Sequence, residues 1–190
     1  MAREVLRVLV LLAPLFGVFS ENKHNGFYDY NVKTFDGETV SLKKYIGKVS
    51  LVVNVASECG YTDEHYKELT ALQNELVQKE QPFTVLAFPC NQFGEQEPHD
   101  NHYIQEFASS EYKASFPIFA KIDVRDRDAH PAYEFLRRST GQEPQWNFWK
   151  YLLDGSGNVI NEWGPSISVS QVKDEILKAI QKLKNTHAEL

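Results

Sequence analysis

The sequence predicts an α/β fold with a partly parallel central sheet, and three observations predict it. Residues 49–55 and 83–88 are almost wholly apolar runs, as expected of strands that are buried on both faces. An amphipathic segment of helical length, residues 62–79, separates the two runs. A strand, a helix and a second strand in this order form a β-α-β unit, whose two strands are parallel.

A β-hairpin precedes the first buried strand. Residues 27–33 and 38–42 flank Asp36-Gly37, a dipeptide that is typical of tight hairpin turns. The helix over residues 62–79 begins at Thr62, and two acidic residues follow in its first turn. The apolar positions expected on its buried face are Tyr66, Leu69, Leu72, Leu76 and Val77.

A polar loop follows the strand over residues 83–88 and leads to two further helices. The first is predicted over residues 101–109, with Tyr103, Ile104 and Phe107 directed inward. Residues 116–124 are expected to be partly extended. The second helix is predicted over residues 131–139, because Pro131 suits the first turn of a helix.

The last part of the chain predicts a second hairpin and a long final helix. Residues 148–153 and 159–163 flank a Gly-rich turn, and Ser168 with Gln171 forms a capping box at the start of the helix. The expected buried positions of this helix are Val169, Val172, Ile176, Ile180 and Leu183. The complete order predicts a thioredoxin-like fold with an N-terminal β-hairpin and an inserted helix, in a single domain over residues 21–190.

Composition excludes some classes of function. The 190 residues carry a net charge of −6, and no basic tract occurs, so we expect no nucleic-acid partner. The apolar fraction of 42% is ordinary for a soluble globular protein. The sequence gives no reason to assign a cofactor or a metal ion.

Residues 1–20 have the layout of a cleaved signal peptide. Arg3 and Arg7 precede an apolar run, residues 8–19, which ends before Ser20. The alternative is a membrane anchor, but the run is shorter than a spanning helix and Pro14 interrupts it. The chain ends at residues 187–190 in His-Ala-Glu-Leu, a degenerate form of an endoplasmic-reticulum retention signal. We therefore expect the lumen of the endoplasmic reticulum or secretion, and no membrane association.

Cys59 lies between the buried strand 49–55 and the helix that starts at Thr62. The partial positive charge of a helix N-terminus favours a thiolate, which is the reactive form of cysteine. The alternative is an inert disulfide between the chain's two cysteines, as in many secreted proteins. Cys90, however, also follows a strand, and the ends of such strands are where α/β folds place their active sites.

The residues after Cys59 exclude local dithiol exchange. A Cys-x-x-Cys motif would need a second thiol at Thr62. A single thiolate on this scaffold can instead attack the O–O bond of a peroxide and become a sulfenic acid, which a second thiol captures.

Three segments resemble the motifs of the glutathione peroxidase family, in the family's order. They are residues 53–62 (VNVASECGYT), 88–94 (FPCNQFG) and 146–152 (WNFWKYL). The first carries Cys59 where the family has selenocysteine or cysteine. The resemblance is to the cysteine-containing endoplasmic-reticulum type and implies a catalytic tetrad of Cys59, Gln92, Trp146 and Asn147, with Cys90 as a candidate resolving thiol.

The resemblance implies a thiol peroxidase that reduces hydrogen peroxide or organic hydroperoxides. The segment between residues 124 and 146 is short, as in the monomeric members, and lacks an arginine-rich lining for glutathione. We therefore expect a monomer that is reduced by a protein dithiol such as protein disulfide isomerase, with glutathione as the alternative. Two other functions stay open: a redox relay that oxidises partner proteins, and a non-catalytic binding or chaperone module. A peroxiredoxin is disfavoured because its motif is absent before Cys59.

Overall fold

The computed structural model describes residues 26–188. Its six strands are β1 (Asn31–Lys33), β2 (Thr39–Ser41), β3 (Val49–Val55), β4 (Phe83–Pro89), β5 (Lys150–Leu153) and β6 (Val159–Trp163). Its four helices are α1 (Thr62–Gln78), α2 (Asn101–Tyr112), α3 (Pro131–Thr140) and α4 (Val169–Ala188). The predicted signal peptide, residues 1–20, lies outside the described residues and stays a prediction. The retention signal at residues 187–190 extends past the last described residue and also stays a prediction.

Four strands form the central sheet in the order β4-β3-β5-β6. β3 and β4 are parallel, as the β-α-β unit predicts, whereas β5 runs antiparallel to both β3 and β6. β1 and β2 form a separate antiparallel hairpin around the predicted turn. All seven residues of β3 and all seven of β4 are buried, which explains their apolar sequences.

The two faces of the sheet bury two different clusters. Val53 and Val55 point toward α1, α2 and α4, and Cys59 belongs to the same cluster. Val52, which directly precedes Val53, points to the other face, where α3 and residues 27–45 pack. Cys90 belongs to this second cluster. The alternation of side chains along a strand therefore separates the environments of the two thiols.

Helix α4 starts as the sequence predicts. Ser168 N–H donates to Gln171 Oε1 at 2.8 Å, and Gln171 N–H donates to Ser168 Oγ at 3.3 Å, which is the reciprocal pattern of a capping box. Glu68 of α1 adds a carboxylate that accepts from Val169 N–H at 2.7 Å. None of the helices within residues 26–188 has the length and apolar character needed to cross a membrane.

Several expected positions differ in the structure. The segment over Phe27–Asp29 is a 3-10 helix, so the first strand is confined to Asn31–Lys33. Val77 is expected on the buried face of α1 but is 55% exposed, whereas its neighbour Leu76 is fully buried. Tyr103 is 46% exposed and packs against the ring of His99 instead of entering the core.

Candidate active site

The turn that carries Cys59 is held by one hydroxyl group. Thr62 Oγ1 accepts from Cys59 N–H at 3.1 Å and donates to Ala56 O at 2.7 Å. The Cys59 carbonyl accepts from Thr62 N–H at 3.0 Å. Thr62 stands where a dithiol motif would carry its second cysteine, and it fixes the turn between β3 and α1 instead.

The Cys59 side chain is almost buried and is not in a disulfide. Its residue surface is 8% exposed, and both cysteines are free. Within residues 26–188 no hydrogen bond reaches the Cys59 sulfur. The structure therefore presents a single free thiol before the first turn of α1, with a small opening to solvent. Gln92, Trp146 and Asn147, the other members of the expected tetrad, carry N–H groups that could donate to this sulfur, and such hydrogen bonds stay a prediction.

Asn147 is fully buried and is joined to the Cys59 turn through Gln96. Its Nδ2 donates to Gln96 Oε1 at 3.0 Å and to Phe93 O at 3.4 Å. The Gln96 carbonyl in turn accepts from Glu58 N–H, next to Cys59, at 3.0 Å. The Oδ1 of Asn147 is buried with no hydrogen-bond partner in the described part of the chain. The amide thus keeps one unused acceptor.

Trp146 lies at the surface of the same segment. It is 38% exposed, its ring centroid lies 6.1 Å from that of Phe93, and its indole N–H donates to no other residue within 26–188. Asn54 of β3 holds this segment in place: its Nδ2 donates to Trp146 O and its Oδ1 accepts from Trp149 N–H, both at 3.1 Å. A buried asparagine in β3 therefore sets the position of the Trp-Asn motif.

Gln92 has its side-chain amide directed toward a different loop. Its Oε1 accepts from Val124 N–H at 2.8 Å and from Arg125 N–H at 3.1 Å, while its Nε2 donates to Arg125 O at 3.2 Å. Cys90 also contacts it, because the thiol donates to Gln92 Oε1 at 3.6 Å. The structure thus brings Gln92 to Cys90, and brings Asn147 toward the Cys59 turn through Gln96.

Cys90 is fully buried on the opposite side of the sheet from Cys59. Its backbone N–H donates to Val55 O at 3.1 Å, so its main chain does lie beside the end of β3, as the parallel strands predict. Burial raises the pKa of the Cys90 thiol to about 11, so the thiol is protonated at neutral pH.

A buried carboxyl, Glu97, joins the loop after β4 to the Cys59 turn. Its Oε1 accepts from Ser57 Oγ at 2.6 Å, and its Oε2 has no hydrogen-bond partner among the described residues. Its backbone N–H donates to Asn91 Oδ1 at 2.8 Å. Burial raises the pKa of the Glu97 carboxyl to about 7.

Glu97 should make the stability of the fold depend on pH. In the unfolded chain this carboxyl has its ordinary pKa of about 4.5. Between pH 4.5 and 7 the folded state therefore holds a proton that the unfolded state releases, and stability falls as pH rises. Glu97→Gln imitates the protonated carboxyl, so it should be more stable than the wild type by about 3 kcal/mol at pH 8 and equal to it near pH 4.

Urea unfolding of both proteins at the two pH values measures this difference. Glu106→Gln, which removes an exposed carboxylate on α2, is the matched control and should change stability little at either pH. Equal stability of Glu97→Gln and the wild type at pH 8 would contradict the raised pKa of the buried Glu97 carboxyl.

Sequence reasoning missed several polar residues that build this region. They are Asn54, His65, Gln96, Glu97 and Lys150. For Asn54 and Lys150 a signal was available, since each is a polar residue inside a strand whose other positions are buried. Gln96 and Glu97 lie in a polar loop, where nothing in the sequence distinguishes them from solvated residues.

The chain is similar to known proteins of one family. The glutathione peroxidase family model matches residues 27–137. Glutathione peroxidase 7 of Homo sapiens is 48% identical over 169 residues, which cover 89% of this chain and 89% of that protein. A solved structure of Trgpx in its apo form has a TM-score of 0.68 and 38% identity, covering 83% of this chain and 97% of that one.

Structural similarity to a more distant protein confirms the predicted thioredoxin-like fold. A thiol:disulfide interchange protein of the thioredoxin family from Chlorobium tepidum has a TM-score of 0.58 over 80% of this chain and 92% of that one. Its sequence identity is 18%, so this likeness concerns the fold alone.

Proposed function

Because the chain belongs to the glutathione peroxidase family and is a peroxidase of the thiol-redox type, we propose that Cys59 is its peroxidatic residue. The observation that carries the proposal is the position of Cys59, a free and almost buried thiol before the first turn of α1. The dipole of the helix favours negative charge at this end. The other thiol, Cys90, is buried and protonated, and is therefore the poorer nucleophile.

The proposed reaction oxidises one thiol and reduces one peroxide. The Cys59 thiolate attacks one oxygen of the hydroperoxide, an S–O bond forms and the O–O bond breaks. The leaving oxygen takes a proton and departs as water or an alcohol, and Cys59 becomes a sulfenic acid. A second thiol then attacks the Cys59 sulfur, a disulfide forms and water leaves. A dithiol reductant returns Cys59 to the thiol by exchange and is itself oxidised to a disulfide.

We propose three polar partners for this reaction: Gln92, Trp146 and Asn147. The unpaired indole N–H of Trp146 is a donor suited to the charge that develops on the leaving oxygen. The unused Oδ1 of Asn147 is an acceptor suited to the O–H of a hydroperoxide. The Gln92 amide would have to leave Val124 and Arg125 to donate to the Cys59 sulfur, so its contribution depends on movement of this loop.

The proposed reductant is a protein dithiol such as protein disulfide isomerase, and the proposed compartment is the lumen of the endoplasmic reticulum or the cell exterior. Two of the arginines near the segment between residues 124 and 146 are paired with carboxylates: Arg125 with Asp126 at 3.2 Å and Arg137 with Glu134 at 2.7 Å. These ion pairs support a protein reductant over glutathione. We also propose that the chain acts as a monomer.

Stopped-flow oxidation of the reduced protein tests the proposal. We expect hydrogen peroxide to change the intrinsic fluorescence of the protein at a rate proportional to peroxide concentration, because Trp146 lies in the candidate site. Reduced protein disulfide isomerase should restore the starting signal faster than glutathione at the same thiol concentration. A protein whose thiols do not react with peroxide would contradict the proposal and favour a non-catalytic module.

Cys90→Ser should reduce turnover only in part. Because the Cys90 side chain points to the other face of the sheet, its thiol can meet the sulfenic acid only after the loop of residues 90–98 moves. A dithiol partner competes with this route, so we expect the variant to keep a measurable turnover and to hold the sulfenic acid longer. Trapping with dimedone and mass spectrometry measures that lifetime. Complete loss of turnover with every dithiol tested would contradict the expectation.

A further inference from the structure

A lysine and a histidine are buried together beneath the start of α1. Lys150 of β5 and His65 of α1 have no exposed surface. Lys150 Nζ lies 2.8 Å from Phe148 O, 3.0 Å from Gly164 O and 3.3 Å from His65 Nε2. An ammonium group has three N–H donors, so each of them has one acceptor here.

The histidine continues this chain of hydrogen bonds. His65 Nδ1 lies 3.1 Å from the Tyr61 carbonyl, which can only accept, so Nδ1 carries the ring proton and Nε2 accepts from Lys150. Burial, and after it the charge of Lys150, lowers the pKa of His65 to about 4. The ring is therefore neutral at physiological pH and can serve as this acceptor.

The pair connects the two segments that form the candidate site. Tyr61 is two residues after Cys59, and Phe148 follows Asn147 directly. Lys150 pairs with Val53 of β3, which lies in the same buried cluster as Cys59. A buried charge is a costly way to stabilise a core, since an apolar residue of similar size often does as well or better. Stability alone therefore does not account for Lys150.

We propose that Lys150 and His65 are positioning residues for the peroxidatic turn, joining Tyr61 beside Cys59 to Phe148 beside Asn147. The inference rests on the proposed function, because it gives the pair a role in the attack of Cys59 on peroxide. A displacement of the sulfur by about 1 Å is enough to slow such a step by a large factor.

The protonation state of Lys150 provides a direct test. Burial lowers the pKa of Lys150 to about 7, while the charges of Glu68 and Glu64 on α1 act in the opposite direction. His65, also on α1, lies 3.3 Å from Lys150 Nζ, and its ring is neutral at physiological pH. A neutral amine has two N–H donors for three acceptors, so one hydrogen bond is lost as pH rises through about 7.

Lys150→Met removes the charge and the donors while keeping the length of the side chain. We expect the variant to fold, with a melting temperature at or above that of the wild type, and to react with peroxide about tenfold more slowly near pH 6. The ratio of wild-type to variant rate should shrink between about pH 7 and pH 9, as Lys150 in the wild type loses its proton. Lys173→Met is the matched control, because the Lys173 ammonium pairs with Glu75 in the last turn of α1, away from the candidate site.

Two substitutions of His65 keep the test valid if Lys150→Met does not fold. His65→Gln retains an acceptor near the position of Nε2 and loses the bond to Tyr61. His65→Asn retains a donor near Nδ1 and loses the bond to Lys150. Either break should slow peroxide attack without slowing reduction by the dithiol, because the pair positions the nucleophile for the first step only.

The outcomes separate the inference from the proposed function. A folded Lys150→Met with the wild-type rate, or with a rate ratio that does not change with pH, would overturn the positioning role alone. Wild-type rates in both folded His65 variants would do the same. A wild-type protein whose Cys59 does not react with peroxide would overturn the proposed function, and the inference with it.

Discussion

Cys59→Ser is expected to abolish peroxide reduction while leaving the fold intact. The serine hydroxyl is far less acidic than the thiol and cannot form a sulfenic acid, so no step of the proposed reaction survives. The sulfur receives no hydrogen bond from the described residues, and the turn is held by Thr62 through backbone atoms of Cys59 and Ala56. Steady-state consumption of peroxide in the presence of a dithiol should fall to the uncatalysed rate, and circular dichroism should be unchanged.

The matched control for this variant is Cys90→Ser, which removes the other thiol and should keep part of the turnover. Dimedone should label the wild type and Cys90→Ser after peroxide treatment, and should not label Cys59→Ser. Turnover near the wild-type rate in Cys59→Ser, with Cys90 labelled instead, would reverse the roles of the two cysteines.

The sequence predicts most of the fold because the central elements are specified locally. Five of the seven residues of β3 are valine or leucine, and α4 has a capping box that the structure reproduces. The predicted start of β5 is two residues early, because Phe148 has a φ of +62° and cannot continue the strand. That conformation depends on the hydrogen bonds that Asn54 makes to this segment from a distant part of the chain, which local patterns do not report.

The candidate site is only partly predictable for the same reason. The place of Cys59 follows from the order of a strand and a helix, which the sequence shows. The direction of an amide does not: Gln92 lies in a loop, and its hydrogen bonds to Val124 and Arg125 join segments about 30 residues apart. Cys59 and Cys90 lie on opposite sides of the sheet. Both residues follow the ends of their strands, where the alternation of side chains between the two faces no longer predicts the side that each thiol takes. Local pattern predicts that both cysteines follow strands and leaves open whether they meet.

Asn147→Ala should slow the attack of Cys59 on peroxide by about ten- to a hundredfold, which corresponds to about 1.5–3 kcal/mol, because the variant loses an acceptor for the hydroperoxide O–H and leaves buried acceptors without their donor. The substitution removes the unused Oδ1, and it leaves Gln96 Oε1 and Phe93 O without their donor. Because Gln96 also accepts from Glu58 N–H, the turn beside Cys59 loses part of its support. Stopped-flow oxidation of the reduced variant measures the effect on the first step alone.

The same measurement on three further variants separates the role of Asn147 from a general loss of packing. Trp146→Phe keeps the ring and removes the indole N–H, and Gln92→Ala removes an amide that faces another loop, so we expect a slower reaction in both and the smaller effect for Gln92. Asn161→Ala is the control, since its exposed amide bonds to Glu175 on α4 and should leave the rate unchanged. Reduction of the oxidised protein by a dithiol should be slowed in none of them, because these amide and indole groups act on the peroxide step. Oxidation at the wild-type rate in Asn147→Ala, Trp146→Phe and Gln92→Ala together would leave Cys59 without the polar partners proposed for it.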